Sequence, residues 1–207
     1  KLNERLNIEL IGEGKAQIPF PGERGWSRLS LPMIAMGYEM KLTPLHVLTF
    51  YNAIANNGRM VTPYFIENFM QHGRVVEQPG HTLLSGTLCT PATLKAVHQA
   101  LRGVVEHGTA SRINDPRYNI SGKTGTAQIA YDGAYVHNGY RKHQASFVGF
   151  FPSENPKYSM IVILYSSPTR GNFYGASWAA PVFKKIADYI YITNPFWNAP
   201  LEAPEKT

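Results

Sequence analysis

The sequence has little of what usually staples, anchors or targets a chain. Cys89 is its only cysteine, so no disulfide can close within the 207 residues. That suits a reducing compartment, and equally an envelope protein that needs no staple. No apolar run approaches the ~20 residues of a membrane span; the longest notable one is MIVILY at residues 160–165. No signal peptide opens the chain. Twenty Lys and Arg against fourteen Asp and Glu give a net charge of +6. The bases are scattered, with no block of five, which argues against a nucleic-acid partner. Seven histidines, at 46, 72, 81, 98, 107, 137 and 143, show no metal-ligand spacing. His137 and His143, six apart, make only a weak pair.

Apolar side chains are plentiful. Hydrophobic residues make up 43% of the chain, with ten Phe, twelve Tyr and three Trp, against only 16% charged. This is a chain that buries surface, long enough for one domain or two small ones. Residues 1–32 are rich in Gly and Pro and read as a short helix or turn followed by loop. A helix is predicted from Thr43-Pro44, where Thr43 can cap and Pro44 fits the first helical position, to Asn57-Gly58. His46 within it reads as packing or surface. An extended section follows, with a hairpin turning at His72-Gly73 and Pro63 marking an edge or entry segment. A second helix opens at Thr90-Pro91, carries the stripe Leu94, Val97, Leu101, Val104 and Val105, and stops at Gly108. Cys89, just before it, reads as a structural thiol.

Three strand candidates come next: the run around Lys123, residues 144–151 and residues 157–165. The last two are apolar on both faces, as in a sheet covered on each side. The first is more polar and fits an edge. A third helix is expected over about 179–191, with Pro181 confined to its first turn, where it would not break the helix. The fold class is α+β, an antiparallel sheet covered by helices. Residues 1–195 form one portion of a domain and 196–207 a tail or linker.

The run Lys123-Thr124-Gly125-Thr126 has two readings. In the plain one, Lys123 on an edge strand discourages sheet-to-sheet pairing and Gly125 is a bulge. In the other, Lys123 places a fixed cation beside a nucleophile and an anionic substrate. Gly125 lets a substrate backbone lie against the strand, Thr124 and Thr126 offer hydroxyls to a carboxylate, and the Thr126 backbone N–H donates to a developing oxyanion.

Context favours the second. The segment SGKTGTAQ at residues 121–128 resembles the third motif of the penicillin-binding transpeptidases, which share a fold with the serine β-lactamases. Similar segments follow the family's order: IPFPGERG; MGYEMKLTPLHVLTFYNAIANNGRMVTPYFI, with His46 where Gln is usual; HQASFVGFFPSENPKYSMIVIL; and AAPVFKKIADYI. The likeness runs from about residue 8 to residue 192 and is most specific at 37–63 and 121–165. It is closest to the class B, high-molecular-weight members of the cell-division or elongation type. The Thr-Pro-Leu and ANNG segments favour that class over a β-lactamase or carboxypeptidase relative.

Two motifs of the family are missing from this sequence. No Lys is preceded three places earlier by Ser, so Ser-x-x-Lys is absent. The only Ser-x-Asn, Ser153-Glu154-Asn155, follows the Lys-Thr-Gly run and sits in a turn. The family places both motifs before the present first residue, so the chain reads as the C-terminal part of a transpeptidase domain. A non-catalytic envelope scaffold with the same fold is the alternative, and upstream sequence decides between them. The resemblance implies catalytic roles for Lys123 and Thr126 and substrate binding by Thr124, Gly125 and Thr126. Peptidoglycan stem peptides ending in D-Ala-D-Ala, and β-lactams, would be the ligands, with no metal or organic cofactor. Further implied partners are the upstream part of the same protein and the division or elongation machinery. The implied location is the periplasmic side of the bacterial cytoplasmic membrane, with an anchor upstream. A lone C-terminal part would leave apolar sheet surface uncovered, favouring dimers or a repacked residue 1–32 segment. Arg170, Asn172 and Tyr174 fall in a loop bordering the site mouth in this family. WAA at 178–180 stands where a glycine-rich entry to the last helix is usual.

Overall fold

The computed structural model describes residues 1–171 and 173–194. The expected tail at 196–207 and Asn172 lie outside them. The chain divides into two compact units, Lys1–Leu94 and Lys95–Thr207.

In the first unit, helix α1 (Ser30–Ala35) is followed by α2 (Pro44–Ala55). A turn at residues 2–3 opens the chain, one of the two forms expected there, and α1 closes this Gly/Pro-rich region where loop was expected. Thr43 caps α2 as expected, its hydroxyl accepting the His46 N–H at 3.2 Å, with Pro44 at the first helical position. His46 is buried, not superficial. Its Nε2 lies 3.0 Å from the Glu4 carbonyl, which can only accept, so Nε2 carries the proton and Nδ1 accepts from the Thr43 hydroxyl at 2.7 Å. A backbone bridge between Gln17 and Lys41 and the Glu13 carboxylate on the Leu6 and Asn7 amides fix the N-terminal loop. Leu6, Ala16, Ala53, Ile54 and Met60 form this unit's buried apolar set.

Two short ribbons complete it. β2 (Phe69–Gln71) and β3 (Arg74–Glu77) pair antiparallel through His72-Gly73, both at positive φ (50° and 76°). Two such residues in a two-residue connection make the turn whose twist suits a hairpin. β1 (Met60–Val61) pairs with β4 (Leu83–Ser85), a strand without a sequence signal. Helix α3 (Pro91–Glu106) begins where the Thr90 hydroxyl accepts the Thr93 N–H at 3.2 Å.

The second unit is built on a three-stranded antiparallel sheet in the order β5 (Ser121–Ile129), β6 (Lys142–Phe151), β7 (Tyr158–Tyr165). The meander and the edge position of the Lys123 strand match the sequence reading. Against one face lies α4 (Gly175–Thr193). Phe147 and Phe151 of β6 meet Phe183 of α4 edge-on, with centroids 4.8 and 5.6 Å apart. Leu101 and Val105 of the α3 stripe are buried, and Val105 joins Ile113, Ile120, Val162 and Ala187 in one core. Burying such side chains supplies about 1.5–3 kcal/mol each before entropy is counted.

Helix α4 corrects the sequence reading twice. It starts four residues earlier than expected, so Pro181 is its seventh residue and lies beyond the first turn. Helical hydrogen bonding survives because flanking residues are held by sheet contacts: Ala179, Ala180 and Phe183 are fully buried. Proline removes one N–H and crowds one carbonyl, a local cost that tertiary burial offsets. The entry is also not WAA. Those residues are inside the helix, and Gly175 opens it.

Candidate functional site

The Lys123 strand is braced from below. The Arg102 guanidinium of α3 donates to the Asn114 and Asn119 side-chain oxygens at 3.0 Å and to the Ile120 carbonyl at 3.4 Å. At the first residue of β5 the buried Ser121 and Ser153 hydroxyls meet at 2.6 Å. An ionic cluster lies between the approach to β5 and α4. Lys184 contacts Asp115 at 2.8 Å and Asp188 at 2.6 Å, Arg117 contacts both carboxylates, and the Tyr118 hydroxyl donates to Asp188 at 2.8 Å.

The charges in that cluster are mutually adjusted. The Arg117 hydrogen bond holds the Asp115 carboxyl well below the usual carboxylate range, against the opposing effect of burial and with help from Lys184. Burial pushes Asp188 up, but hydrogen bonds from Lys184 and Tyr118 outweigh it and its pKa falls. Burial pushes the Tyr118 phenol up, and the Asp188 carboxylate adds to the rise.

Along β5 the register with β6 is one-to-one: Lys123 faces Val148, Thr124 faces Phe147, Gly125 faces Ser146 and Thr126 faces Ala145. There is no bulge at Gly125, which removes that part of the plain reading. Its lack of a side chain has another cause. A β-carbon there would stand inside the 3.0 Å that real β-carbons avoid, against the Ser146 hydroxyl. Gly175 is equally constrained: a β-carbon on it would lie 2.6 Å from the Gly125 carbonyl oxygen and closer still to that of Ser146. The start of α4 thus rests directly on the backbone of β5 and β6.

The four residues expected to act are adjacent and differently held. Lys123 is exposed, and its Nζ donates to the Thr124 carbonyl at 3.0 Å. The Thr124 hydroxyl lies 3.2 Å from that of Thr109. The Thr126 hydroxyl accepts the Gly175 N–H at 3.2 Å. Residues 126–128 are exposed along a strand whose only sheet partner among the described residues is β6. Arg170 stacks over the Tyr140 ring at 4.7 Å, and Tyr174 occupies the N-cap position of α4. His137 Nε2 donates to the Tyr131 carbonyl at 2.5 Å, and His143 Nδ1 is buried with no hydrogen-bond partner among the described residues.

Sequence reading missed three neighbours of the motif: Thr109, Ser146 and Gly175. Ser146 lies on the expected 144–151 strand, but its place opposite Gly125 is set by the β5–β6 register across residues 130–141, which carries no short turn signal. Thr109 and Gly175 reach the strand through tertiary packing and carry no local signal.

The family model described as penicillin binding protein transpeptidase domain matches residues 1–188. The chain is 30% identical over 185 residues to stage V sporulation protein D of Bacillus subtilis (strain 168), covering 88% of this chain and 28% of that protein. It is 27% identical over 178 residues to probable peptidoglycan D,D-transpeptidase PenA of Neisseria flavescens, covering 81% of this chain and 40% of that one. The crystal structure of penicillin-binding protein 3 of Mycobacterium tuberculosis, apo form, is similar with a TM-score of 0.74 at 28% identity, over 98% of this chain and 46% of that one. The chain therefore spans less than half the length of each of these relatives. With a family match across nearly its whole length, this chain belongs to the transpeptidase domain family of the penicillin-binding proteins, in class B.

Proposed function

We propose that the open edge of β5 is one wall of the active site of a serine-type peptidoglycan D,D-transpeptidase, which cross-links stem peptides through an acyl-enzyme and binds penicillin. The observation that carries this reading is the bond from Lys123 Nζ to the Thr124 carbonyl. A strand carbonyl engaged by a side chain lies on the side away from β6. In an antiparallel ladder the backbone groups of alternate residues point the same way, so the Thr126 N–H shares that open side. The Thr126 hydroxyl already accepts from Gly175, which leaves its own proton to donate to a carboxylate.

On this reading each residue has one task. Thr124 and Thr126 bind the terminal carboxylate of a D-Ala-D-Ala peptide, with Lys123 adding positive charge. The serine of a Ser-x-x-Lys motif outside these 207 residues attacks the scissile carbonyl, and the motif's lysine takes its proton. The Thr126 N–H and the serine's own N–H hold the oxyanion of the tetrahedral adduct. The C–N bond breaks, the departing D-Ala amine gains a proton, and the acyl-enzyme remains. An amine of a neighbouring stem peptide then attacks the ester, releases the serine and completes the cross-link. One oxyanion donor contributes about 2.7–4 kcal/mol to such a barrier. The place of work is the cell envelope; no helix among the described residues is long and apolar enough to cross a membrane.

Labelled penicillin tests this. The 207-residue chain, lacking the serine motif, takes no covalent label. A longer form of the protein carrying Ser-x-x-Lys is labelled, and Lys123→Ala in it slows acylation on the order of 100-fold. Wild-type acylation in that variant would refute the role of Lys123, and an adduct on the 207-residue chain would refute the missing-nucleophile account.

A further inference from the structure

Beyond Ile129 the chain does not pass straight into β6. It folds back through two successive backbone bridges, Tyr131 with Ala134 and His137 with Tyr140. A third bridge ties Arg141 to Thr169, with N–H···O distances of 2.8 and 2.9 Å, and so joins this hairpin to the segment after β7. Residues 130–143 and 165–178 contain one acid, Asp132, against Arg141, Lys142 and Arg170. None of the three cations forms an ion pair with a described residue, whereas Arg117 and Lys184 are both paired. Two of the three are instead laid over tyrosine rings: Arg170 at 4.7 Å from the Tyr140 centroid and Lys142 at 4.5 Å from that of Tyr131. The Tyr131 ring also meets His137 at 4.2 Å.

An isolated surface cation is ordinarily just solvated. A guanidinium stacked on an aromatic face differs, because its orientation is fixed while its N–H edge stays free for a planar anion. Ordering a long side chain before a ligand arrives removes part of the entropic cost of binding. The position also matters. Residue 129 is three residues past Thr126, roughly 10 Å along the strand. Lys142 faces Ile129 across the strand pair, and Arg170 stands one strand further from the open edge through the Arg141–Thr169 bridge. A long side chain near the middle of a peptide added to that edge therefore reaches inward toward this platform.

We propose that Arg170, with Tyr140 beneath it and Lys142 alongside, forms a carboxylate subsite for an acidic peptide lying along the open edge of β5. Resting on the transpeptidase reading, the ligand is the acidic portion of a stem peptide upstream of its terminal D-Ala-D-Ala. The Arg170 fork donates two N–H groups to the carboxylate, and the Lys142 charge adds to its hold.

The test is a site-resolved titration of the 207-residue chain, with backbone amide shifts followed by NMR. The probes are an N-acetyl pentapeptide ending in D-Ala-D-Ala with Glu at its second position, and the same peptide with Gln there. Both are expected to shift the amides of residues 124–126, and only the Glu peptide those of 140–142 and 170. The Glu peptide should bind about fivefold more tightly, the ratio that one exposed charge pair supplies. Arg170→Ala should abolish that preference, and Arg170→Lys should retain part of it. Equal affinities of the two peptides, with shifts at 124–126 intact, would overturn the subsite and leave the transpeptidase reading standing. Shifts at 140–142 and 170 without any at 124–126 would overturn the transpeptidase reading instead.

Discussion

Ser146 and Gly125 face each other across β5 and β6, and the hydroxyl of one occupies the space a side chain on the other would need. The Ser146 β-carbon, by contrast, lies 3.8 Å from that position, an ordinary contact. Gly125→Ala alone should therefore overpack the sheet and cost about 1–3 kcal/mol. Gly125→Ala with Ser146→Ala should regain most of it, as read by urea denaturation. If penicillin acylation of a longer, serine-bearing form stays low in the double variant, the open space serves substrate; if it returns with stability, the glycine serves only Ser146.

Gly175 should tolerate substitution less well than Gly125. A β-carbon there meets backbone on both β5 and β6, not a movable hydroxyl. Gly175→Ala is expected to cost more than Gly125→Ala, about 3 kcal/mol or above, and to lengthen the bond to Thr126. Thermal denaturation gives the first, and the amide shift of residue 175 the second. An unchanged shift would count against the close packing of α4 on the motif.

His46 uses both ring nitrogens in buried hydrogen bonds. His46→Ala should destabilise the chain by about 1–3 kcal/mol, since it strands the Glu4 carbonyl and deletes a core ring. His46→Gln supplies an N–H donor and a carbonyl acceptor and should lose less than half as much. Equal losses would show that shape, not hydrogen bonding, fixes this position.

The ionic cluster behind β5 sets a pH window. Asp115 and Asp188 have folded pKa values below their ordinary 3.8. Their contribution is complete above about pH 4 and is lost as pH falls toward the folded values, because the unfolded chain then binds protons that the folded chain refuses. Tyr118 has a folded pKa above its ordinary 10.0. Its contribution is complete below about pH 10 and declines above it. Denaturation midpoints should therefore show an acid limb that flattens in Asp115→Asn and an alkaline limb that flattens in Tyr118→Phe. An acid limb unchanged in Asp115→Asn would place the sensitivity elsewhere.

Much of this was legible because it was local. Thr43-Pro44 announced α2, His72-Gly73 announced the hairpin, and the two apolar runs joined by PSENP announced the sheet. What escaped was non-local. β1 and β4 pair across more than twenty residues, around the inserted β2–β3 hairpin, and no turn of their own marks the pairing. The start of α4 was misplaced because Pro181 is a strong local breaker, and only burial against the sheet overrides it. The Lys-Thr-Gly-Thr run could be read as a motif. Its hydroxyl partners Thr109 and Gly175 could not, since they arrive from fifteen and forty-nine residues away.

The segment between β7 and α4 is fastened at both ends to the same hairpin, through Arg141 with Thr169 and through Thr126 with Gly175. Five positions, 170–174, are left between these two clasps. Natural drift or laboratory selection acting on them can change what is displayed beside the motif without moving the endpoints. Novelty in the display then need not be matched by compensation in the frame.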